Sequence, residues 1–298
     1  MTEIIPRIFG GLGNQLFAYA AARRMALVNN AILVIDDLSG FRYDTLYNRH
    51  YQLDHFTIPC RKAIAEERIE PFSRIRRNLL RHWNRRLPFE QRSYLVQEGI
   101  DFDPRLLDIR PAKRLYLEGY WQSEGYFKDV ESQIRQDLRI LPPTDAVNLA
   151  CAEIIRQRPA VAVHARFFDE PLDSDRTTVN NASEGYYARA VRTMEAQIKN
   201  AHYFLFSDRP EAVRSLIPLP DDRVTLIRNN QGDENAYADL WLMTQCKFFI
   251  IANSTFSWWG AWLADYPQKI VIAPEIKKRE GPGSWGFEGL IPEKWIKL

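Results

Sequence analysis

The 298-residue chain is long enough for two domains, and its net charge of +2 gives no field that argues for nucleic acid. No window approaches the roughly 18 apolar residues of a membrane span, and Glu3 and Arg7 interrupt the N-terminal apolar run that a signal peptide would need. Three scattered cysteines, Cys60, Cys151 and Cys246, exclude a disulfide scaffold and a zinc cage and fit a reducing cytoplasm.

Residues 4–9 read as a strand, and 15–28 as a helix with Leu16, Ala20, Met25 and Leu27 along it. AILVIDD at 31–37 reads as a buried parallel strand ending in the acids Asp36 and Asp37. Between the first strand and the helix lies Gly10-Gly11-Leu12-Gly13-Asn14-Gln15. Glycines there allow positive φ and close backbone approach, and the N–H groups of a helix start favour an anion. The spacing is neither a Walker loop nor a dinucleotide fingerprint. A plain tight turn is the simpler reading. Asn14 and Gln15 favour a polar ligand, because amides hydrogen-bond without charge.

The stretch 40–113 is irregular, with one periodic segment inside it. In RIRRNLLRHWNRRL, residues 74–87, Ile75, Leu79, Leu80, Trp83 and Leu87 recur at helical spacing, and six arginines fill the rest. Such a helix either packs its apolar stripe on its own domain or lies on an anionic membrane surface. RLYLEGYWQSEGYF at 114–127 reads as a strand, an aromatic loop and a helix, with Glu118, Trp121, Gln122 and Glu124 within it. Pro142, Pro143 and Thr144 mark a break, which gives domains at 1–143 and 144–298.

After the break, strands at 160–165, 203–206, 223–227, 248–251 and 269–273 alternate with helices at 184–199, 210–216, 235–245 and 255–264. That alternation means a parallel, doubly wound sheet with its ligand at the carboxyl ends of the strands. VAVHARFFDE delivers His164, Arg166 and Asp169 at such an end, and the planar fork of Arg166 suits a phosphate. HYFLFSDRP places Ser207 and Asp208 before Pro210, where they serve either as helix caps or as a carboxylate for the N–H groups of a base. An apolar strand then runs into Asn253-Ser254-Thr255-Phe256-Ser257, whose hydroxyls and N–H groups at a helix start suit a diphosphate. Trp258, Trp259 and Trp262 read as core, and Asp239 as part of this site or its scaffold. No cluster has metal-ligand spacing. The nearest Asp pair, Asp173 and Asp175, sits in a polar loop, so the chemistry is expected to run without metal.

These segments together resemble glycosyltransferase family 11, the bacterial and animal α-1,2-fucosyltransferases. GGLGNQLFAYA, GYWQSEGYF, HARFFD, FSD and IIANSTFSWWGAWL carry the resemblance, over nearly the whole chain. It implies an α/β GT-B fold of two Rossmann-like domains facing a cleft. An N-terminal acceptor half would accompany a C-terminal half binding GDP-β-L-fucose, with inversion at the anomeric carbon and no metal or other cofactor.

On this reading Gly11, Gly13, Asn14, Gln15, His164, Arg166, Ser207, Asp208, Asn253, Ser254, Thr255, Phe256 and Ser257 meet the nucleotide sugar. Arg166 and Asn14 serve catalysis. Asp36, Asp37, Trp121, Gln122 and Glu124 are the candidates for a galactose-terminated glycan acceptor. The chain departs from the family pattern at Phe167, where a second Arg is usual, and at Arg209, where a second acid is usual. Those departures keep three alternatives open: another fucosyl linkage, another GDP-sugar, or a GDP-sugar-binding protein without catalysis. The expected location is cytoplasmic, with the inner membrane face as the place for any contact through 74–87.

Overall fold

The computed structural model describes residues 1–167, 184–275 and 289–298. The chain divides into two compact units between Leu141 and Pro142, and Ile291–Leu298 belong to the second.

The first unit has β1 (Glu3–Pro6), α1 (Leu12–Val28), β2 (Ile32–Ile35), β3 (Arg61–Lys62), α2 (Ser73–Asn84), β4 (Tyr94–Val96), β5 (Arg114–Glu118) and α3 (Glu131–Asp137). Its sheet runs β3-β2-β1-β5-β4, with every pairing parallel. β1 pairs β5 through Ile5 and Tyr116, and β2 through Ile4 and Leu33. The chain builds outward from β1 through β2 to β3, then returns on the other side through β4 and β5. The order therefore reverses between β1 and β5, which puts the ligand crevice of this unit at their carboxyl ends. Helix α1 is apolar nearly all round, and twelve of its residues from Leu12 to Met25 are buried along with Ala26. It is a core helix and not an amphipathic one.

The second unit has α4 (Ala146–Arg156), β6 (Ala160–Ala165), α5 (Glu184–Gln197), β7 (His202–Ser207), α6 (Pro210–Ser215), β8 (Val224–Leu226), α7 (Ala236–Thr244), β9 (Phe248–Ile250), α8 (Thr255–Leu263), β10 (Ile270–Ala273) and β11 (Ile296–Lys297). Its sheet is also parallel, in the order β11-β10-β9-β6-β7-β8. All six residues of β6 and all six of β7 are buried, as strands covered on both faces must be. Here the order reverses between β6 and β9.

Trp258, Trp259 and Trp262 of α8 pack on one another with ring centroids 5.0–6.0 Å apart, and Trp295 joins Trp258 at 5.5 Å. They are core. Tyr186 at the start of α5 donates to the carbonyls of Ile251 and Ile272, and Tyr187 to that of His164. Those three bonds hold the carboxyl ends of β6, β9 and β10 to one helix.

Three details differ from the reading of the sequence. Helix α1 begins at Leu12 with Gly11 as its N-cap, so Gly13, Asn14 and Gln15 lie inside its first turn. The stretch after the aromatic loop is a 3₁₀ turn, Glu124–Tyr126, and not an α-helix. The irregular stretch holds β3 and β4, whose two and three residues carry too little pattern to be read.

Candidate active site

In the second unit, the residues that close the switch point follow from strand ends. β6 stops after Ala165, so His164 is buried beneath the crevice and Arg166 stands half-buried at its edge. β9 stops at Ile250, and Ser254 becomes the N-cap of α8. The His164 ring lies 5.4 Å from that of Phe256, in the first turn of α8. Burial pulls the His164 pKa down to about 3, and the neighbouring Arg166 charge adds to it, so the imidazole is neutral at pH 7.

Among the described residues, Nδ1 of His164 and Oγ of Ser254 are buried with no hydrogen-bond partner. Ser254 therefore caps with its backbone alone: its carbonyl accepts from Trp258 N–H, and its side chain bonds nothing in the helix. Buried polar atoms are rarely left unsatisfied, and two of them beside an Arg and a helix N-terminus form a place for a polar, anionic ligand. Asn253, Thr255 and Phe256 are half-buried at the same helix start. Ser257 is not in that group. It is fully buried and its hydroxyl donates back to the Ser254 carbonyl at 3.3 Å, so its side chain is spent within the helix.

Ser207 and Asp208 act locally. The Ser207 hydroxyl accepts the Arg209 N–H at 3.1 Å, the capping role. The Asp208 carboxylate accepts the Phe167 N–H at 2.9 Å, which ties the end of β7 to the end of β6. Asp208 remains exposed, but its carboxylate already holds a backbone donor. Phe167 packs its ring on the core of this unit. Asp239 accepts from Asn230, which also bonds Asn148 of α4, a scaffold role. Burial raises its pKa to about 7 against the opposing Asn230 hydrogen bond. Asp169, Asp173 and Asp175 lie outside the described residues.

In the first unit, the switch point carries the glycine turn and the aromatic loop. Gly10 has φ +77°, and a Cβ there would lie 3.1 Å from the Tyr120 ring and 3.2 Å from Asn14. Its glycine is required by the protein's own backbone and side chains. Gly11 has an ordinary φ, and the space beside it is bounded by the Arg49 guanidinium, 3.8 Å from where a Cβ would be. That cation at the α1 N-terminus was not legible in the sequence, because Arg49 sits in a loop with no pattern around it. Gly13 is buried within α1.

Asn14 Oδ1 accepts from Gln122 Nε2 at 2.7 Å, which joins the first turn of α1 to the loop after β5. Gln122 is buried, and among the described residues its Oε1 has no partner.

The other candidate side chains of this unit are engaged within the chain itself. Gln15 is fully buried and spends its amide on the chain itself, donating to the carbonyls of Gly10 and His50 and accepting from Gln52 N–H. Asp36 is buried in a hydrogen-bonded cage of Ser39 and Arg77, and Asp37 is buried 3.5 Å from Lys62. Trp121 is buried edge-on against Tyr126, so its ring is closed to a sugar. Glu118 is the hub of an ion cluster with Arg7, Arg81 and Tyr94. Burial pushes its pKa up, but the hydrogen bonds from Arg81 and Tyr94 and the nearby guanidinium charges outweigh that and hold it below the ordinary value. A carboxylate so engaged is a poor general base. Glu124 is half-buried and pairs with Lys128 at 3.6 Å.

Among the described residues, no three His, Cys, Asp or Glu side chains come together as a metal-ligand set.

Residues 73–280 match the sequence model of glycosyl transferase family 11. The chain belongs to that family. Over its whole length it is 30% identical to the Escherichia coli protein named alpha-1,2-colitosyltransferase, covering 99% of it. It is also 30% identical to the O-antigen biosynthesis glycosyltransferase WbnK of Escherichia coli, with 97% of this chain and 98% of the relative covered. Among solved structures, the fucosyltransferase NodZ from Bradyrhizobium superposes with a TM-score of 0.53 at 15% identity, over 91% of this chain and 95% of NodZ. Arabidopsis thaliana FUT1 in complex with GDP gives 0.53 at 12% identity, over 91% of this chain and 70% of that one. At those identities the superpositions establish the fold, which is that of the GT-B-like fucosyltransferases.

Proposed function

We propose that this glycosyltransferase moves L-fucose from GDP-β-L-fucose to the 2-hydroxyl of a terminal β-galactoside, with inversion and without a metal. The observation that carries the proposal is the β6–β9 switch point: Arg166, the N-terminus of α8, and the polar atoms of His164 and Ser254 that have no partner among the described residues. The second unit binds GDP-fucose there, and the first unit serves the acceptor. The acceptor oxygen attacks the anomeric carbon on the face opposite GDP. The bond from that carbon to the β-phosphate oxygen breaks, and the electron pair leaves with GDP. Arg166 and the N–H groups of the first turn of α8 offset the charge that grows on the phosphate. His164, neutral, donates or accepts a hydrogen bond at the crevice floor. Asn14, held by Gln122, places an amide at the first unit's switch point. The acceptor hydroxyl's proton passes to solvent or to a weak acceptor, since Asp36 and Glu118 are committed to arginines.

A second reading has colitose in place of fucose as the transferred sugar. It is favoured by the name of a relative that aligns over this whole chain.

The test is transfer of labelled fucose from GDP-fucose to a panel of β-galactosides with EDTA present. An α-1,2-linked product is the expected result. Transfer from the colitose nucleotide alone would establish the second reading. A requirement for added Mg²⁺ or Mn²⁺, or GDP binding with neither transfer nor donor hydrolysis, would contradict the proposal.

A further inference from the structure

Helix α2 is built the opposite way from an ordinary surface helix. Its polar face points inward. Ser73, Arg77 and Asn84 are its buried residues. Arg77 pairs with Asp36 at 2.8 Å and also donates to the Arg68 carbonyl. Arg81 donates to Glu118, and Asn84 accepts the N–H groups of Ser93 and Tyr94. These bonds satisfy the inner face, and with it the helix is anchored across the carboxyl end of the first unit's sheet, where Asp36 and Glu118 lie.

Apart from the half-buried Leu80, the apolar residues are left outside. Phe72, Ile75, Leu79, Trp83 and Leu87 are 42–76% exposed. Ile75, Leu79 and Trp83 follow one another at intervals of four, so they form one ridge. The expectation that the stripe packs on its own domain is therefore overturned, because the buried acids claim the arginines of the opposite face. Around the ridge, Arg74, Arg76, Arg85 and Arg86 are exposed, and no Asp or Glu occurs from Phe72 to Leu87. The Arg86 guanidinium sits 5.7 Å over the Trp83 ring, a cation beside an amphipathic aromatic.

We infer that this face docks on the surface of an anionic phospholipid bilayer, with the apolar ridge at the headgroup boundary and the arginines on the lipid phosphates. Charge selects this occupant. A second copy would set two arginine-rich faces against each other, and an apolar partner groove would leave the guanidinium groups without counter-charge. A bilayer with anionic headgroups supplies apolar depth and negative charge together. Trp at that level has its ring in the apolar boundary and its N–H toward water. Among the described residues no helix is long and apolar enough to cross a membrane, so the contact is one of lying on the surface. Leu79, Trp83, Arg85 and Arg86 make none of the inward side-chain bonds that anchor α2, so they can be changed without touching that anchor.

The experiment is flotation of the full chain with phosphatidylcholine vesicles and with vesicles carrying 25% phosphatidylglycerol, at low and high salt. Two variants accompany it, Leu79→Ser with Trp83→Ser, and Arg85→Glu with Arg86→Glu. Thermal midpoint and light scattering are recorded for each. The expected result is binding to the anionic vesicles alone, lost at high salt. Each variant should bind at least tenfold more weakly at an unchanged midpoint, since one arginine near such a surface is worth about fivefold. Absence of binding at low salt, or equal binding by the variants, would overturn the inference. So would a dimer in light scattering that the Leu79→Ser, Trp83→Ser variant abolishes, because the face would then belong to a second copy.

Discussion

Replacing Ser254 by Ala separates a cap from a ligand. An N-cap serine whose hydroxyl bonds the helix loses about 1 kcal/mol of stability on conversion to alanine. Ser254 occupies the N-cap of α8, but its Oγ is buried and makes no hydrogen bond among the described residues. Such a hydroxyl has been taken from water without compensation, at a cost of about 1–3 kcal/mol. Its removal should leave stability unchanged or raise it by about 1 kcal/mol. The ligand account assigns that hydroxyl to a phosphate oxygen, a bond to a charged group worth about 1.5–3 kcal/mol. GDP affinity should then fall roughly ten- to hundredfold. Chemical denaturation and calorimetric titration of GDP read the two quantities on the same sample. A destabilised variant with unaltered GDP affinity would refute the reasoning and return Ser254 to the role of a cap.

Three further outcomes follow from the geometry. Gln15→Leu removes the amide that serves Gly10, His50 and Gln52. It should cost about 3 kcal/mol in denaturation, with GDP affinity altered less than twofold once the protein is folded; weaker GDP binding at full stability would make Gln15 a ligand after all. Glu118→Gln should cost about 2–3 kcal/mol at pH 7, less than a fully buried pair because Arg7 and Arg81 keep side-chain exposures of 22% and 30%. Because the folded pKa of Glu118 is depressed, its contribution is present above the unfolded value and fades as pH falls through the folded one. Wild type and variant should therefore converge in acid, and a constant gap would count against the ion cluster. Asp239 has the opposite sign: with its folded pKa raised to about 7, it binds a proton more tightly folded than unfolded, and stability declines as pH rises from about 4 to 7. Asp239→Asn should remove about 2 kcal/mol of that decline, a figure discounted for its half-buried position, and an unchanged pH profile would disprove the assignment.

The second unit was the more legible half. β6, β7, β9 and β10 are continuous apolar runs between helices, and a covered parallel strand has no other signature. The motif residues His164, Arg166 and Ser254 were found because they follow such runs directly. The first unit hid more. Gln15, Asp36 and Trp121 are residue types that a ligand site uses, and the bonds that claim them come from 3 to 41 positions away. Nothing local in Arg77 or Arg81 announces that Asp36 and Glu118 will pair with them, so the outward ridge of α2 could not be read from periodicity alone. Arg49 was missed for the same reason. Its position beside Gly11 depends on a loop path with no regular pattern.

The central claim is a sugar-nucleotide site at the β6–β9 switch point that holds its diphosphate with Arg166 and the start of α8 and without metal. The most direct measurement is calorimetric titration of GDP into the wild type and Arg166→Ala, each with EDTA and again with added Mg²⁺. The account predicts wild-type binding that EDTA does not alter, and binding by Arg166→Ala weakened by roughly tenfold or more, as loss of a charged hydrogen-bond donor requires. Wild-type binding that appears only with Mg²⁺, or equal affinity in both proteins, would contradict it.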